Sequence, residues 1–68
     1  MRIELNGRAV DVGGGAATVA DAVAASGATE RRGVAVAVEG EVVPRSEWEA
    51  TELREGAHVD VLHAVQGG

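Results

Sequence analysis

Hydrophobic and polar residues alternate at the start of the chain, and this pattern predicts a β-hairpin. Residues 1–5 would place Ile3 and Leu5 on one face of a strand and charged side chains on the other. Asn6-Gly7 follows, a dipeptide typical of a type I′ turn, in which both central residues have positive φ. A two-residue loop of this kind sets Leu5 opposite Arg8, and this pairing predicts the register of both strands.

A short helix is predicted to begin after Thr18. The Thr18 side chain can act as N-cap, and Asp21 lies three residues later, where the acid of a capping box lies. Apolar residues then recur at helical spacing until Gly27, a typical residue just past a helix end. A helix of about nine residues is marginal alone and must rest on a sheet. The preceding segment, residues 13–15, is three glycines without the lysine of a phosphate-binding loop, and we interpret it as a flexible connection.

The second half of the chain predicts three further strands. Val34–Val38 is an apolar run, typical of a strand that is buried on both faces or lies at the centre of a sheet. Val42-Val43 predicts a brief strand that Pro44 ends, and Ser46 is expected to cap a single helical turn after it. Residues 58–65 predict the last strand.

This order of elements predicts the fold class. Two strands, a helix and three further strands are typical of an α+β domain, with one helix packed across a single mixed sheet of four to five strands. One helix covers one face of such a sheet. The other face is therefore left to solvent or to a partner, and Leu62 is the candidate for the centre of an apolar landing site there.

Composition excludes several classes of function. The chain has 68 residues and no cysteine, which excludes disulfide bonds, thiolate metal sites and a cysteine nucleophile. His58 and His63 differ in strand parity, so they should point to opposite faces as surface residues. A net charge of −5 and a single aromatic residue, Trp48, argue against nucleic acid. In so thin a core, we interpret Trp48 as a packing anchor.

The N-terminal residues lack the layout of a signal peptide, and no segment approaches the length of a membrane span. The expectation is therefore a cytoplasmic protein. An acidic surface suits a partner with a basic docking face, and solubility alone would explain it equally well. The acids of residues 47–55 form either a solvated edge or a surface that steers such a partner.

The end of the sequence suggests a deliverable chemical group. Gln66 is followed by Gly67 and Gly68, and the lack of Cβ atoms makes a tail thin enough for a narrow channel in another protein. Four residues reach about 13 Å when extended. The delivered group would be the Gly68 α-carboxylate, which is ionised at neutral pH and unreactive until it is activated. We expect a folded domain over residues 1–65 and a flexible tail over residues 66–68.

Together these features resemble the β-grasp, or ubiquitin-like, fold. Within it the chain resembles the small bacterial sulfur carriers of thiamine-thiazole synthesis, the ThiS family, over essentially its whole length. The most specific segment is Val43-Pro44-Arg45-x-x-Trp48, which separates this family from the related small subunit of molybdopterin synthase. The other matching segments are Asn6-Gly7, Thr18-Val19, Val36 to Gly40, Glu55-Gly56 and Gly67-Gly68.

The resemblance implies a chemistry centred on Gly68. An E1-like adenylyltransferase would use ATP to adenylate the Gly68 carboxylate, and sulfur from a cysteine-desulfurase persulfide would replace AMP to leave a thiocarboxylate. Thiazole synthase would then take the sulfur into the thiazole ring of thiamine. The chain would be a protein co-substrate, with no catalytic residue, metal or cofactor of its own.

Candidate contacts with these partners follow from the same sequence. Gln66 and Gly67 would lie in the partner's channel, and Leu62 and Ala64 would contact the partner beside it. Arg45 either contacts an acidic residue of the partner or is a solvated surface charge.

Three alternatives remain beside this interpretation. The chain could be a sulfur carrier for molybdopterin or for another sulfur-containing metabolite, since partners decide the destination of the sulfur. It could be a β-grasp interaction module without terminal chemistry, although the Gly-Gly end and the acidic surface argue against this. A small enzyme is disfavoured, because the chain has no Ser-His-Asp arrangement and too little volume for a closed pocket.

Overall fold

The computed structural model describes residues 1–27 and 33–63. In this part of the chain, five strands form one sheet in the order β2-β1-β5-β3-β4. The elements are β1 (Arg2–Leu5), β2 (Arg8–Asp11), α1 (Val19–Ala25), β3 (Val34–Val38), β4 (Glu41–Val43), a 3-10 helix (Arg45–Glu47) and β5 (His58–His63). The predicted last strand is confirmed over His58–His63, and its final two residues, 64 and 65, lie outside the described residues.

The last strand in sequence lies at the centre of the sheet. β5 pairs parallel with β1 on one side and antiparallel with β3 on the other, which makes the sheet mixed. Helix α1 buries Val19, Ala22 and Val23 in the same core as residues of β1, β3 and β5. The predicted α+β architecture, one helix across a single mixed sheet, is confirmed.

The first hairpin has the predicted turn and register. Asn6 and Gly7 have φ values of 51° and 83°, as a type I′ turn requires. Leu5 pairs with Arg8, and the pairing continues back along both strands to Arg2 and Asp11. Turn chemistry and hydrophobic alternation therefore specify the same structure, and the prediction is confirmed.

Helix α1 begins and ends where the sequence indicates. Thr18 is the N-cap, and its N–H donates to Asp21 Oδ2 at 2.8 Å, the acidic half of a capping box. Ser26 is the C-cap, and Gly27 follows with a φ of 88°. The helix has seven residues rather than about nine, because the residues at its two ends serve as caps.

The prediction that β3 is buried on both faces or lies at the sheet centre is wrong. β5 occupies the centre, and β3 lies between β5 and the edge strand β4. Val36 is buried on the α1 side, but on the other side Ala35 is exposed and Ala37 is only partly buried. The physical reason is that α1 covers one face only, so alternate residues of the apolar run point to the uncovered face.

The predicted cap at Ser46 is also wrong, whereas the role of Trp48 is confirmed. Pro44 precedes the 3-10 helix as its N-cap, and its carbonyl accepts from Glu47 N at 2.8 Å. The helix therefore starts before Ser46, which lies inside it.

Trp48 is 1% exposed, and its indole N–H donates to Val43 O at 2.9 Å. This hydrogen bond joins the anchor of the core to the end of β4.

The glycine segment before α1 is more than a flexible connection at one position. Gly13 has a φ of +64°, and a Cβ there would lie 2.6 Å from the carbonyl oxygen of Ala16. Both conditions disfavour any other residue. Gly14 has neither restriction, because a Cβ there meets nothing within 4 Å.

This difference predicts unequal effects of two neighbouring substitutions. Gly13→Ala should lower the free energy of unfolding by about 1–3 kcal/mol, because it combines left-handed backbone strain with a steric contact. Gly14→Ala should change it by less than about 1 kcal/mol, because its Cβ meets nothing within 4 Å and its effect comes mainly from the unfolded chain. Urea unfolding of the two variants measures both effects. Equal stability of the two variants would show that the turn at Gly13 is not fixed.

Candidate partner interface

The face of the sheet opposite α1, here called the open face, is left uncovered by residues 1–27 and 33–63. In β5, the buried Val59 and Val61 point toward α1, so the alternate residues His58, Asp60 and Leu62 point to the open face. The strand register then places the neighbours on this face. They are Glu4 beside His58, Ala37 beside Asp60, Ala35 beside Leu62, and Val42 beside Ala37.

An apolar patch occupies one part of the open face. Leu62 is 66% exposed and Val42 is 75% exposed, and they are the large hydrophobic residues that remain exposed in the described part of the chain. Ala35 and Ala37 are successive β3 residues on this face. Ala35 pairs with Leu62 of β5, and Ala37 pairs with Val42 of β4. We call these four residues the apolar patch. Directly opposed residues lie within about 4.5–5.5 Å of each other, so the patch is continuous.

The apolar patch lies toward the C-terminal end of β5. Leu62 is the penultimate residue of β5, which ends at His63. Five residues follow His63, and at full extension they span about 17 Å. A partner seated on the apolar patch would therefore have Gly68 within that distance of the strand end.

Charged groups occupy the other part of the open face, around His58. The Nε2 atom of His58 lies 2.7 Å from Glu4 Oε1, and its Nδ1 atom lies 3.7 Å from Glu39 Oε1. All three side chains are substantially exposed, so these pairs add little stability. With Asp60 also exposed, the carboxylates outnumber the imidazole, and a partner with basic side chains would complement this area.

The predicted partner-contacting residues fall into two groups. Leu62 is exposed on the open face, as its predicted role requires, and its contact with a partner stays a prediction. Arg45 is exposed in the 3-10 helix that follows β4, and its contact likewise stays a prediction. The remaining predicted residues, Ala64, Gln66, Gly67 and Gly68, lie outside the described residues.

Other predicted features can be located directly. His58 and His63 are both exposed, as predicted, and alternation along β5 sets them on opposite faces. The acids of residues 47–55 are exposed as well. Among residues 1–27 and 33–63, no group of three His, Asp or Glu side chains is arranged to hold a metal ion. Within those residues, no helix has the length and apolar character needed to cross a membrane.

Sequence reasoning missed two parts of this surface. Val42 belongs to the apolar patch because the Glu39-Gly40 turn, with φ values of 51° and 83°, sets Val42 opposite Ala37. The sequence predicts a turn at residues 39–41, but glutamate at positive φ is uncommon, so the two-residue loop that sets this register was not predicted. The second missed residue is Asn6, whose side chain contacts the backbone of β5 at Val61.

The alternation along β5 predicts a small effect on stability at one position and a large effect at the next for the same substitution. Leu62→Asp should change the free energy of unfolding by less than about 0.5–1 kcal/mol, because the side chain is exposed. Val61→Asp should cost about 3 kcal/mol or more, because it puts a carboxylate into the core. Thermal or urea unfolding distinguishes the two. A large loss in Leu62→Asp would mean that the open face is covered in the folded protein.

Comparison with known proteins gives a family match and two similar solved structures. The model of the ThiS family matches residues 2–68. Among curated protein sequences, none matches the chain. The crystal structure of a thiamine biosynthesis protein (ThiS) from Geobacter metallireducens superposes with a TM-score of 0.80 at 29% identity and covers 100% of both chains. An NMR solution structure of a thiamine biosynthesis protein from Geobacter metallireducens gives a TM-score of 0.79 at 29% identity, covering 100% of this chain and 88% of that one. The fold class predicted from the sequence is therefore confirmed.

Proposed function

Because the chain belongs to the ThiS family, we propose that it is a sulfur carrier of thiamine biosynthesis whose Gly68 carboxylate becomes a thiocarboxylate. The observation that supports this most strongly is the family match, which extends through residue 68 and so includes the Gly-Gly end. The two Geobacter structures, each described as a thiamine biosynthesis protein, support the same assignment at 29% identity.

The proposed reaction activates a carboxylate that is otherwise a poor electrophile. An E1-like adenylyltransferase transfers AMP from ATP to the Gly68 carboxylate and releases pyrophosphate, which makes the acyl carbon electrophilic. Sulfur from a cysteine-desulfurase persulfide then replaces AMP, with a second thiol as the reductant that releases the thiocarboxylate. Thiazole synthase takes this sulfur into the thiazole ring. In this scheme the chain is a co-substrate, and the activating enzyme binds the ATP.

We further propose that the open face is where the E1-like enzyme docks. The apolar patch provides the area whose burial favours association, and Asp60 beside it suits a basic side chain of the partner. Docking there also brings the end of β5 close to the partner, so that the tail reaches the active site. Gln66 and Gly67 then lie in the channel, and Arg45 and Ala64 lie near its entrance.

The chemistry at Gly68 is tested with the complete chain, its E1-like partner, ATP and a sulfur donor. Intact mass should show the exchange of one oxygen for one sulfur. Deleting Gly68 should abolish the exchange, because the tail then falls short by about 3.3 Å. Adding one alanine after Gly68 should abolish it too, since a Cβ and extra length then occupy the place of the carboxylate.

Equal conversion of the extended chain would contradict this proposal, because the diglycine end would then be incidental. If the thiocarboxylate forms but its sulfur passes to a molybdopterin-synthase partner and not to thiazole synthase, the carrier chemistry would stand and the assigned pathway would be wrong.

The docking proposal predicts a loss of affinity from the apolar patch. Leu62→Asp should weaken binding to the E1-like enzyme by more than about 1 kcal/mol, because it puts a charge at the centre of the contact. Ala50→Asp is the matched control, since it adds the same charge at an exposed position outside the sheet. Isothermal titration calorimetry with the three proteins measures the difference. Equal affinities of Leu62→Asp and the original chain would place the interface elsewhere.

A further inference from the structure

The side chain of Asn6 holds the backbone of β5 beyond the point where β1 ends. Its Nδ2 atom donates to Val61 O at 3.2 Å, and Val61 N donates to Asn6 Oδ1 at 2.8 Å. A carboxamide carries an amino donor beside a carbonyl acceptor, so it can bond to the C=O and the N–H of one strand residue at the same time. The Asn6 side chain therefore offers Val61 both the acceptor and the donor that two alternate residues of β1 would supply if the parallel pairing continued.

The position of this contact continues the backbone pairing of β1 with β5. Glu4 N donates to Ala57 O at 2.8 Å, and Asn6 N donates to Val59 O at 2.9 Å. The next carbonyl in this series, two residues further along β5, belongs to Val61. The main chain of β1 cannot reach it, because the chain turns at Asn6 with a φ of 51°. The Asn6 side chain takes the place of the missing backbone donor.

From this geometry we propose that Asn6 is a positioning residue that directs the tail toward the activating enzyme, an inference that rests on the proposed function. β5 ends at His63, two residues after Val61, and Gly68 follows five residues later in the sequence. On the β3 side, β5 is paired as far as His63 with Val34. On the β1 side, the Asn6 carboxamide provides the contact at Val61. Without it, β5 loses this contact on the β1 side two residues before its end, and the proposal is that the Gly68 carboxylate is then presented less precisely to the adenylation site.

The turn alone does not require this side chain. Glycine adopts positive φ as readily as asparagine and would serve the type I′ turn equally well. Asn6→Gly therefore removes the contact with Val61 and retains the turn. The variant separates the local role of Asn6 from the proposed positioning role.

The test compares Asn6→Gly with the original chain in thiocarboxylate formation by the E1-like enzyme. We expect kcat to fall about tenfold, because the reacting group is held less well near the adenylation site. KM for the carrier should stay unchanged, because the apolar patch is intact. Hydrogen exchange of the free variant should show faster exchange of the Val61 amide, which has lost its acceptor.

Asp21→Ala is the matched control for a general loss of stability. Asp21 Oδ2 accepts from Thr18 N at 2.8 Å, so this variant also loses a side-chain bond to a backbone N–H, but at the start of α1. We expect its kcat and its Val61 exchange to match the original chain. Asn6→Asp provides a second variant, since it tolerates positive φ and retains the acceptor for Val61 N while losing the donor to Val61 O. Its kcat should lie between those of the original chain and Asn6→Gly.

Three results would overturn the positioning role. They are an unchanged kcat in Asn6→Gly, an equal loss of kcat in Asp21→Ala, and an unchanged Val61 exchange in Asn6→Gly. Should Asn6→Gly fail to fold, Asn6→Asp decides, and a kcat equal to that of the original chain overturns the proposal. Failure of the original chain to be thiocarboxylated would instead reject the proposed function, and the exchange measurement would still decide whether Asn6 holds β5.

Discussion

The central position of β5 is the constraint on which the rest of the structure depends. This strand is the last element of the described chain, yet it pairs with β1, near the start of the chain, and with β3. Its inward residues Val59 and Val61 are 1% and 3% exposed and contribute to the core of the whole domain. A strand held on both sides and buried on one face cannot shift without disrupting the fold. The end of β5 at His63 is therefore a fixed point of the domain.

The single helix determines what kind of surface is left. The core lies between α1 and one face of the sheet, and it consists of Val, Ala, Leu and Ile residues with one Trp. Within the described part of the chain no second layer covers the open face, so its residues must tolerate water or bind a partner. Alanine at positions 35 and 37 exposes little apolar area itself and leaves Leu62 and Val42 accessible. The overall charge of −5 makes copies of the chain repel one another, which opposes self-association through this apolar surface.

Local signals explain which parts of this structure the sequence could predict. The Asn6-Gly7 turn, the Thr18 cap and the buried Trp48 each depend on neighbouring residues or on a single large side chain, and all are confirmed. The centre of the sheet was wrongly predicted, because an apolar run such as Val34–Val38 does not reveal strand order. Strand order comes from pairing between distant segments, which leaves no local pattern.

The candidate site shows the same division between local and distant information. Leu62 could be predicted as exposed, because its parity along β5 follows from the sequence. Val42 could not, because its place in the apolar patch depends on a turn whose first central residue is Glu39. The second role of Asn6 was hidden for another reason. The turn already explained an asparagine there, and the contact with Val61 spans 55 positions of sequence.

In the proposed carrier, recognition and reaction occur at different places on the chain. In that proposal the apolar patch would determine which partner binds and the Gly68 carboxylate would react, and both depend on β5, which carries Leu62 and ends five residues before Gly68. An interaction module without terminal chemistry would need the patch alone, and the direction in which its last residues leave the sheet would not matter. A carrier needs both, because docking energy promotes the reaction only if it brings the carboxylate close to the adenylation site. The hold of Asn6 on Val61 therefore has a functional reason in a carrier that it lacks in a simple binding module.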